Sequence, residues 1–178
     1  MTDFSNLITN QALIISGFVD YIFVTIVFFI AVFAFLIKNK HYSSGMVFLL
    51  SSVSLLYSFF LKQTFKYPRP YTADMKMLFN FDIYGFPSTH VLFYTVFWGF
   101  IIYLTFKYNK RHKILINIIR WLSIYFLVTV GLSRVWLGYH FFQDVAAGYI
   151  FGLIFLLLLI WLDRKLEKIF SKNKIKDN

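Results

Sequence analysis

Ser133-Arg134-Val135-Trp136-Leu137-Gly138-Tyr139-His140-Phe141-Phe142-Gln143-Asp144 separates two long apolar runs, residues 114–132 and 145–162. Each run has the length and composition of a membrane helix, so this stretch reads as the short connection between two spans. An arginine, a histidine and an aspartate sit in it. Such groups are costly beside lipid unless they are paired or face a cavity. His140 and Asp144 are four residues apart, which on a helix places them on one face, one turn apart. A carboxylate on one imidazole nitrogen fixes the tautomer and leaves the other nitrogen free to react. That is the arrangement of an activated nucleophile. Arg134, six residues before His140, adds a planar fork suited to phosphate. These residues read as half of a phosphoryl-transfer site whose other half lies elsewhere in the chain.

Composition agrees with a membrane location. Of 178 residues, 59% are hydrophobic and 15% charged, against about 25% charged in soluble domains. Phenylalanine alone occurs 24 times and the mean hydropathy is +0.66. The absence of cysteine excludes disulfides and thiolate metal sites. The net charge of +10 does not point to nucleic acid, because the positive residues cluster at the ends of apolar segments. The first residues, Met1-Thr2-Asp3-Phe4, lack the basic start of a cleaved signal peptide. The length suits one domain, residues 1–178, with a motif-bearing core at 62–148 and a basic tail at 165–178.

Phe4, Leu7, Ile8, Ala12 and Ile15 recur at helical spacing with polar residues between them, predicting an amphipathic helix in the membrane interface that ends near Asp20. Five apolar segments follow, at 21–37, 45–61, 91–106, 114–132 and 145–162. The sequence therefore predicts an all-α, polytopic membrane bundle of five to six transmembrane helices with an N-terminal interfacial helix. Twelve Lys and Arg residues fall in the 38–44 and 107–113 loops and the tail from 163, and five fall on the other side. The positive-inside rule then places the former in the cytoplasm, with residues 62–90 and 133–144 facing outward together. The basic tail reads as a solvated topogenic segment. His41 and His112 fall in the cytoplasmic loops and receive no role.

The missing half of the site lies in that outward set. Lys62 begins the run Lys62-Gln63-Thr64-Phe65-Lys66-Tyr67-Pro68-Arg69-Pro70, in which two prolines stiffen the backbone around Arg69. Phe86-Pro87-Ser88-Thr89-His90 then precedes the third apolar segment. Pro87 and Ser88 resemble a helix start, with Ser88 as cap and an anion-binding end behind it. His90 falls in the first turn.

Together the three motifs resemble the type 2 phosphatidic acid phosphatase family. The family pattern is Lys-x6-Arg-Pro, then Pro-Ser-Gly-His, then Ser-Arg-x5-His-x3-Asp. Lys62 to Arg69-Pro70, Pro87-Ser88-Thr89-His90 and Ser133-Arg134 through His140 to Asp144 match it in order and spacing. The one departure is Thr89 where glycine is usual, which predicts altered shape and not lost activity. The resemblance implies His140 as nucleophile, Asp144 as its orienting acid and His90 as general acid and then base. It implies Lys62, Arg69, Arg134 and the backbone N–H groups of Ser88 and Thr89 as phosphate ligands, with no metal and no cofactor. Asp74 and Asp82 read as exposed loop charges. Phe65, Phe86, Phe141 and Phe142 are candidates for lining an apolar tail, though packing against lipid explains them equally.

The expected partner is a membrane lipid phosphate reached within the bilayer, with no nucleic acid; nothing in the sequence sets an oligomeric state. The implied function is a lipid phosphatase of the outward leaflet, with undecaprenyl diphosphate as the favoured substrate. Alternatives are a lipid A, phosphatidylglycerophosphate or phosphatidate phosphatase, or a lipid-to-lipid phosphotransferase. The competing class is a non-catalytic phospholipid-binding or transport protein. Related vanadate-binding haloperoxidases are soluble, which five apolar spans exclude.

Overall fold

The computed structural model describes residues 2–20, 22–70, 84–108 and 113–176. Asp74, Lys76, Asp82, Lys110, Arg111 and His112 lie outside the described residues, as do the last two residues of the basic tail. Among the described residues seven helices follow in order: α1 Thr2–Asp20, α2 Ile22–Lys38, α3 Tyr42–Leu50, α4 Val53–Phe65, α5 Thr89–Lys107, α6 Lys113–Trp136 and α7 Phe142–Lys176. The fold is the expected all-α bundle. Among the described residues four stretches are long and apolar enough to cross a membrane: Tyr42–Phe65, which joins α3 and α4, Thr89–Lys107, Lys113–Trp136 and Phe142–Ser171. With 17 residues α2 is shorter, at the lower end of what spans a bilayer.

The expected single span at 45–61 is two helices. Ser51 and Ser52 separate them, and their hydroxyls donate to the Phe48 and Leu49 carbonyls at 2.6 and 2.7 Å. Ser54 likewise donates to the Ser51 carbonyl. Serine side chains that bond their own backbone compete with the helical ladder and bend it. The signal was present as Ser51-Ser52-Val53-Ser54, within an otherwise apolar run.

α5 is the centre. In its most apolar stretch 72% of residues are buried, against 17% in α6 and 33% in α7. Val91, Leu92, Tyr94, Val96, Phe97 and Phe100 have no exposed surface, the behaviour of a helix that is apolar all round. Phe97 packs among Phe28, Phe29, Phe48, Phe93 and Trp98 at centroid distances of 5.1–5.9 Å. The outer helices turn Ile118, Trp121, Leu132, Leu157 and Trp161 outward, as lipid-facing surfaces require.

α7 lies against α5 through glycines. A Cβ on Gly148 would stand 2.9 Å from Val91 Cβ, and one on Gly152 would stand 2.7 Å from Thr95 Cβ. This small-residue spacing lets two membrane helices approach closely. It fixes the start of α7 beside the start of α5. α1 rests near the same end: Trp136 Nε1 donates to Thr9 Oγ1 at 3.3 Å, and the Tyr94 hydroxyl donates to the Ile15 carbonyl.

At the opposite end a polar cluster ties three helices. Asp163, fully buried, accepts from Ser44 at 2.8 Å, Tyr103 at 2.7 Å and Lys107 at 2.5 Å. Lys107 also meets Glu167 at 3.0 Å. His41 stacks on Tyr108, which shares a hydrogen bond with Ser44. Arg120 Nε donates to Thr105 on α5 at 3.1 Å.

Candidate active site

The spacing of Arg134 and His140 is the geometry of a helix end. Gly138 has φ 70°, a left-handed conformation that glycine adopts without steric cost. The Gly138 N–H bonds the Val135 carbonyl and the Tyr139 N–H bonds the Arg134 carbonyl, the paired bonds of a Schellman motif. The His140 N–H also reaches the Arg134 carbonyl, at 3.3 Å. The chain thus folds back so that His140 lies over the last turn of α6. Arg134 is 4% exposed, with its guanidinium 4.6 Å from the centre of the Tyr139 ring. Stacking on an aromatic face holds a guanidinium plane in place.

His140 and Asp144 do not share a helix, contrary to the expectation of one helical face. Gly138 ends α6 at Trp136, α7 begins only at Phe142, and His140 stands in the link. The contact forms all the same: His140 Nδ1 lies 3.3 Å from Asp144 Oδ2. The same oxygen accepts the Phe141 N–H at 3.0 Å, half of a capping box at the start of α7. One carboxylate therefore starts a helix and holds the imidazole. Both residues are buried, at 4% and 0% exposure. Asp144 Oδ1 has no hydrogen-bond partner among the described residues.

Burial pushes the His140 imidazole below its ordinary range. Asp144 draws it back up, and the charges of Arg69, Arg134 and Lys62 push it down again. Three cations from three separate motif positions thus act on one ring. These influences together favour the neutral ring, with Nδ1 turned to Asp144.

The first two motifs clasp each other. α4 ends at Lys66, which takes a left-handed conformation at φ 52°. Pro68 and Tyr84 then form an antiparallel bridge, and the Gly85 N–H donates to the Tyr67 carbonyl at 2.8 Å. Lys62, 2% exposed, donates to the Tyr84 carbonyl at 2.7 Å. A Cβ on Gly85 would meet the Pro68 carbonyl at 3.0 Å and Arg69 Cγ at 3.2 Å. Gly85 is the positioning residue that sequence reasoning passed over. Its signal was a glycine two residues before Pro87, beside the motif and not in it.

Ser88 precedes α5 as its N-cap, with φ −68° and ψ 114°, but no side-chain capping bond forms. Its N–H is not available to phosphate, because it donates to the Asp144 carbonyl at 3.0 Å. This bond corrects the expected role of the Ser88 N–H and joins the second motif to the third. The Ser88 hydroxyl is buried and has no partner among the described residues. Thr89 opens the helix, where N–H groups lack intrahelical acceptors. Its hydroxyl accepts from Ser58 on α4 at 2.9 Å, a bridge that glycine could not make. His90 is half-buried in the same first turn. Phe65 and Phe86 pack edge to face at 5.1 Å. Among the described residues no three His, Cys, Asp or Glu side chains gather as a metal-ligand group.

Fold and site define a polytopic membrane protein that gathers an acid-held histidine and three cations at the ends of its central helices. The sequence matches the PAP2 superfamily over residues 44–168, and the chain belongs to that family. It is 36% identical over 84 residues to the bacitracin transport permease protein BcrC of Bacillus licheniformis, covering 47% of this chain and 36% of that one. It is 31% identical over 115 residues to phosphatidylglycerophosphatase B of Bacillus subtilis (strain 168), covering 63% of this chain and 54% of that one. The chain thus spans between about a third and about a half of the length of these relatives. The crystal structure of a transmembrane PAP2-type phosphatidylglycerolphosphate phosphatase from Bacillus subtilis superposes with a TM-score of 0.67 and 25% identity, covering 93% of this chain and 79% of that one.

Proposed function

We propose that this integral membrane protein is a lipid phosphatase that works through a phosphohistidine on His140. The observation that carries the reading is the buried imidazole held by Asp144 and acted on by Lys62, Arg69 and Arg134. With Nδ1 toward Asp144, Nε2 attacks phosphorus as the bond to the lipid oxygen breaks. His90 gives that oxygen its proton. Neutral His90 then takes a proton from water, whose oxygen attacks phosphorus and breaks the N–P bond, freeing phosphate and restoring His140. The three cations, the Thr89 N–H and the Ser88 hydroxyl hold the non-reacting oxygens. Phosphoryl transfer depends mainly on such positioning and charge stabilisation, and the proposed route assigns both to these residues.

The basic residues at the far end of the bundle support a cytoplasmic C-terminus and an outward site. A cysteine replacing Asp74 is then expected to react with impermeant reagents added outside; reaction only from the cytoplasm overturns this orientation. Among substrates a polyprenyl diphosphate such as undecaprenyl diphosphate is favoured. The likeness to phosphatidylglycerophosphatase B of Bacillus subtilis supports phosphatidylglycerophosphate as the second reading. The deciding experiment is phosphate release from a panel of lipid phosphates and diphosphates by the purified chain and by His140→Ala. The wild type is expected to hydrolyse at least one and to trap acid-labile phosphate on His140, and the variant to do neither. Normal lipid binding with no release from any of them would sink the enzyme reading in favour of a binding or transport protein.

A further inference from the structure

Hydroxyls inside this bundle mostly turn back on their own helices. Ser54, Thr64, Thr95 and Ser123 each donate to a carbonyl three or four residues earlier. That is the usual outlet for a serine or threonine among apolar neighbours. Ser58 of α4 is an exception. It is fully buried, and its hydroxyl crosses to Thr89 Oγ1 on α5 at 2.9 Å. A buried donor that leaves its own helix depends on the acceptor it reaches.

The bond falls at a level that matters to the site. Ser54, Ser58 and Lys62 recur every four residues among the buried residues of α4, so they share one face. α4 runs toward the site and stops at Lys66, and α5 starts there at Thr89. Ser58 is level with the first residue of α5, so Lys62 stands about 6 Å further along α4, past the start of that helix. Its ammonium is held by the Tyr84 carbonyl at 2.7 Å. The first bond of α5 joins the Leu92 N–H to the Ser88 carbonyl at 3.0 Å, so the Thr89 N–H has no acceptor within the helix. The lysine is thereby set in front of the positive end of α5.

Resting on the phosphatase reading above, we infer that Ser58 and the Thr89 side chain are positioning groups: their bond sets how far Lys62 stands from the first turn of α5, and so how tightly the two hold a phosphate between them. Glycine, usual at position 89 in the pattern this chain resembles, has no oxygen to accept from Ser58. Threonine here is therefore part of the construction of the site, and replacing it by that glycine weakens phosphate binding in this chain.

The test uses the purified full chain in detergent and orthovanadate as the phosphate mimic, with its dissociation constant read by calorimetry. Ser58→Ala and Thr89→Gly are each expected to weaken binding about fivefold or more, and the double variant no further than either one. Thr89→Val keeps the shape and cuts the same bond from the other side, which covers a Ser58 or glycine variant that fails to fold; it should match Ser58→Ala. Thr89→Ser keeps the acceptor and should stay within about twofold of wild type, as should Ser123→Ala, a buried serine bonded to its own helix. In Lys62→Ala, already weakened, removing Ser58 should change nothing more. Multiplicative losses in the double variant, wild-type affinity in Thr89→Gly, or a fivefold further loss on removing Ser58 from Lys62→Ala overturn the proposal. So does a lowered thermal midpoint with unchanged affinity, which is the mark of a merely structural bond, or a wild type that binds no orthovanadate. The phosphatase reading fails separately: a wild type that binds orthovanadate with this coupling, yet releases phosphate from no lipid, rejects the activity and leaves the positioning role standing.

Discussion

Asp144 makes three separate connections: Oδ2 to the His140 ring, Oδ2 to the Phe141 N–H, and its carbonyl to the Ser88 N–H. Only the first depends strongly on charge for its chemical effect, since an amide oxygen can still accept from Phe141. Asp144→Asn is therefore expected to lower kcat by about 10²–10⁴-fold through loss of the correct tautomer. Its thermal midpoint should stay within about 4 °C of wild type, because the helix start and the Ser88 link survive. Circular dichroism melts beside phosphate release separate the two effects. His140 carries a pH prediction. Its folded pKa lies below the ordinary value of about 6.5, so the ring stays neutral as pH falls through that value. The acid limb of kcat/KM due to this group is expected below 6.5, and Arg134→Gln, which removes a positive neighbour, should move it upward. Protonation also opposes folding: the stability linked to neutral His140 is present above the unfolded value and is lost as pH falls through the lowered folded one. A profile whose acid limb did not shift in Arg134→Gln would count against the cation cluster.

Elements place these residues, and two glycines show how differently that can be done. Gly138, at φ 70°, turns the chain so that His140 returns over Arg134. Gly138→Val forces a branched side chain into left-handed backbone, costing roughly 1–2 kcal/mol. Its larger effect is expected on activity, through displacement of His140 relative to Arg134. Gly152 lies where α7 crosses Thr95, and a larger side chain must push α7 off α5. Gly152→Leu should cost about 1–3 kcal/mol by overpacking and should lower activity and thermal midpoint together. Measured side by side, Gly138→Val should show loss of rate out of proportion to loss of stability. Equal ratios in the two variants would contradict this division of roles. The break at Ser51-Ser52 belongs to the same scale. Ser58, on the segment past it, reaches Thr89.

Across the whole molecule, chemistry and tethering occupy opposite ends. Asp163, Lys107, Ser44 and Tyr103 tie α3, α5 and α7 far from His140. Asp163→Ala strands a largely buried Lys107 whose remaining carboxylate, Glu167, is half exposed. Removing one partner of a buried pair costs about 3 kcal/mol or more. The thermal midpoint in detergent is expected to fall clearly. At low temperature, phosphate release should remain within about twofold of wild type, because the site-bearing ends of α5 and α7 are held by Gly148, Gly152 and the Ser88–Asp144 bond. Loss of activity matching the loss of stability at all temperatures would show that the two ends are coupled.

Sequence by itself determined the class of fold, because apolar runs of spanning length admit only helices. It also determined which residues belong together, because charged groups beside lipid are too costly to be incidental. Arg134, His140 and Asp144 were legible as exceptions to an apolar background, and Lys62, Arg69, Ser88, Thr89 and His90 joined them through the resemblance of the three motifs to one family. Tertiary structure alone decided the contacts between them. Sequence spacing suggested a helix joining His140 to Asp144, whereas Gly138 and the Phe141 cap put the histidine in a link. A serine before a helix suggested a free N–H at Ser88, whereas the approach of α7 to α5 gave that N–H to Asp144. Gly85, Gly131, Gly148 and Gly152 carried little weight in the linear reading, since a missing side chain acquires meaning only from the neighbour that occupies its space. The bonds of Tyr149 to Leu127 and Gly131 are of the same kind. Hydrophobicity places α6 and α7 in a membrane, and only their packing on α5 fixes which of their faces meet.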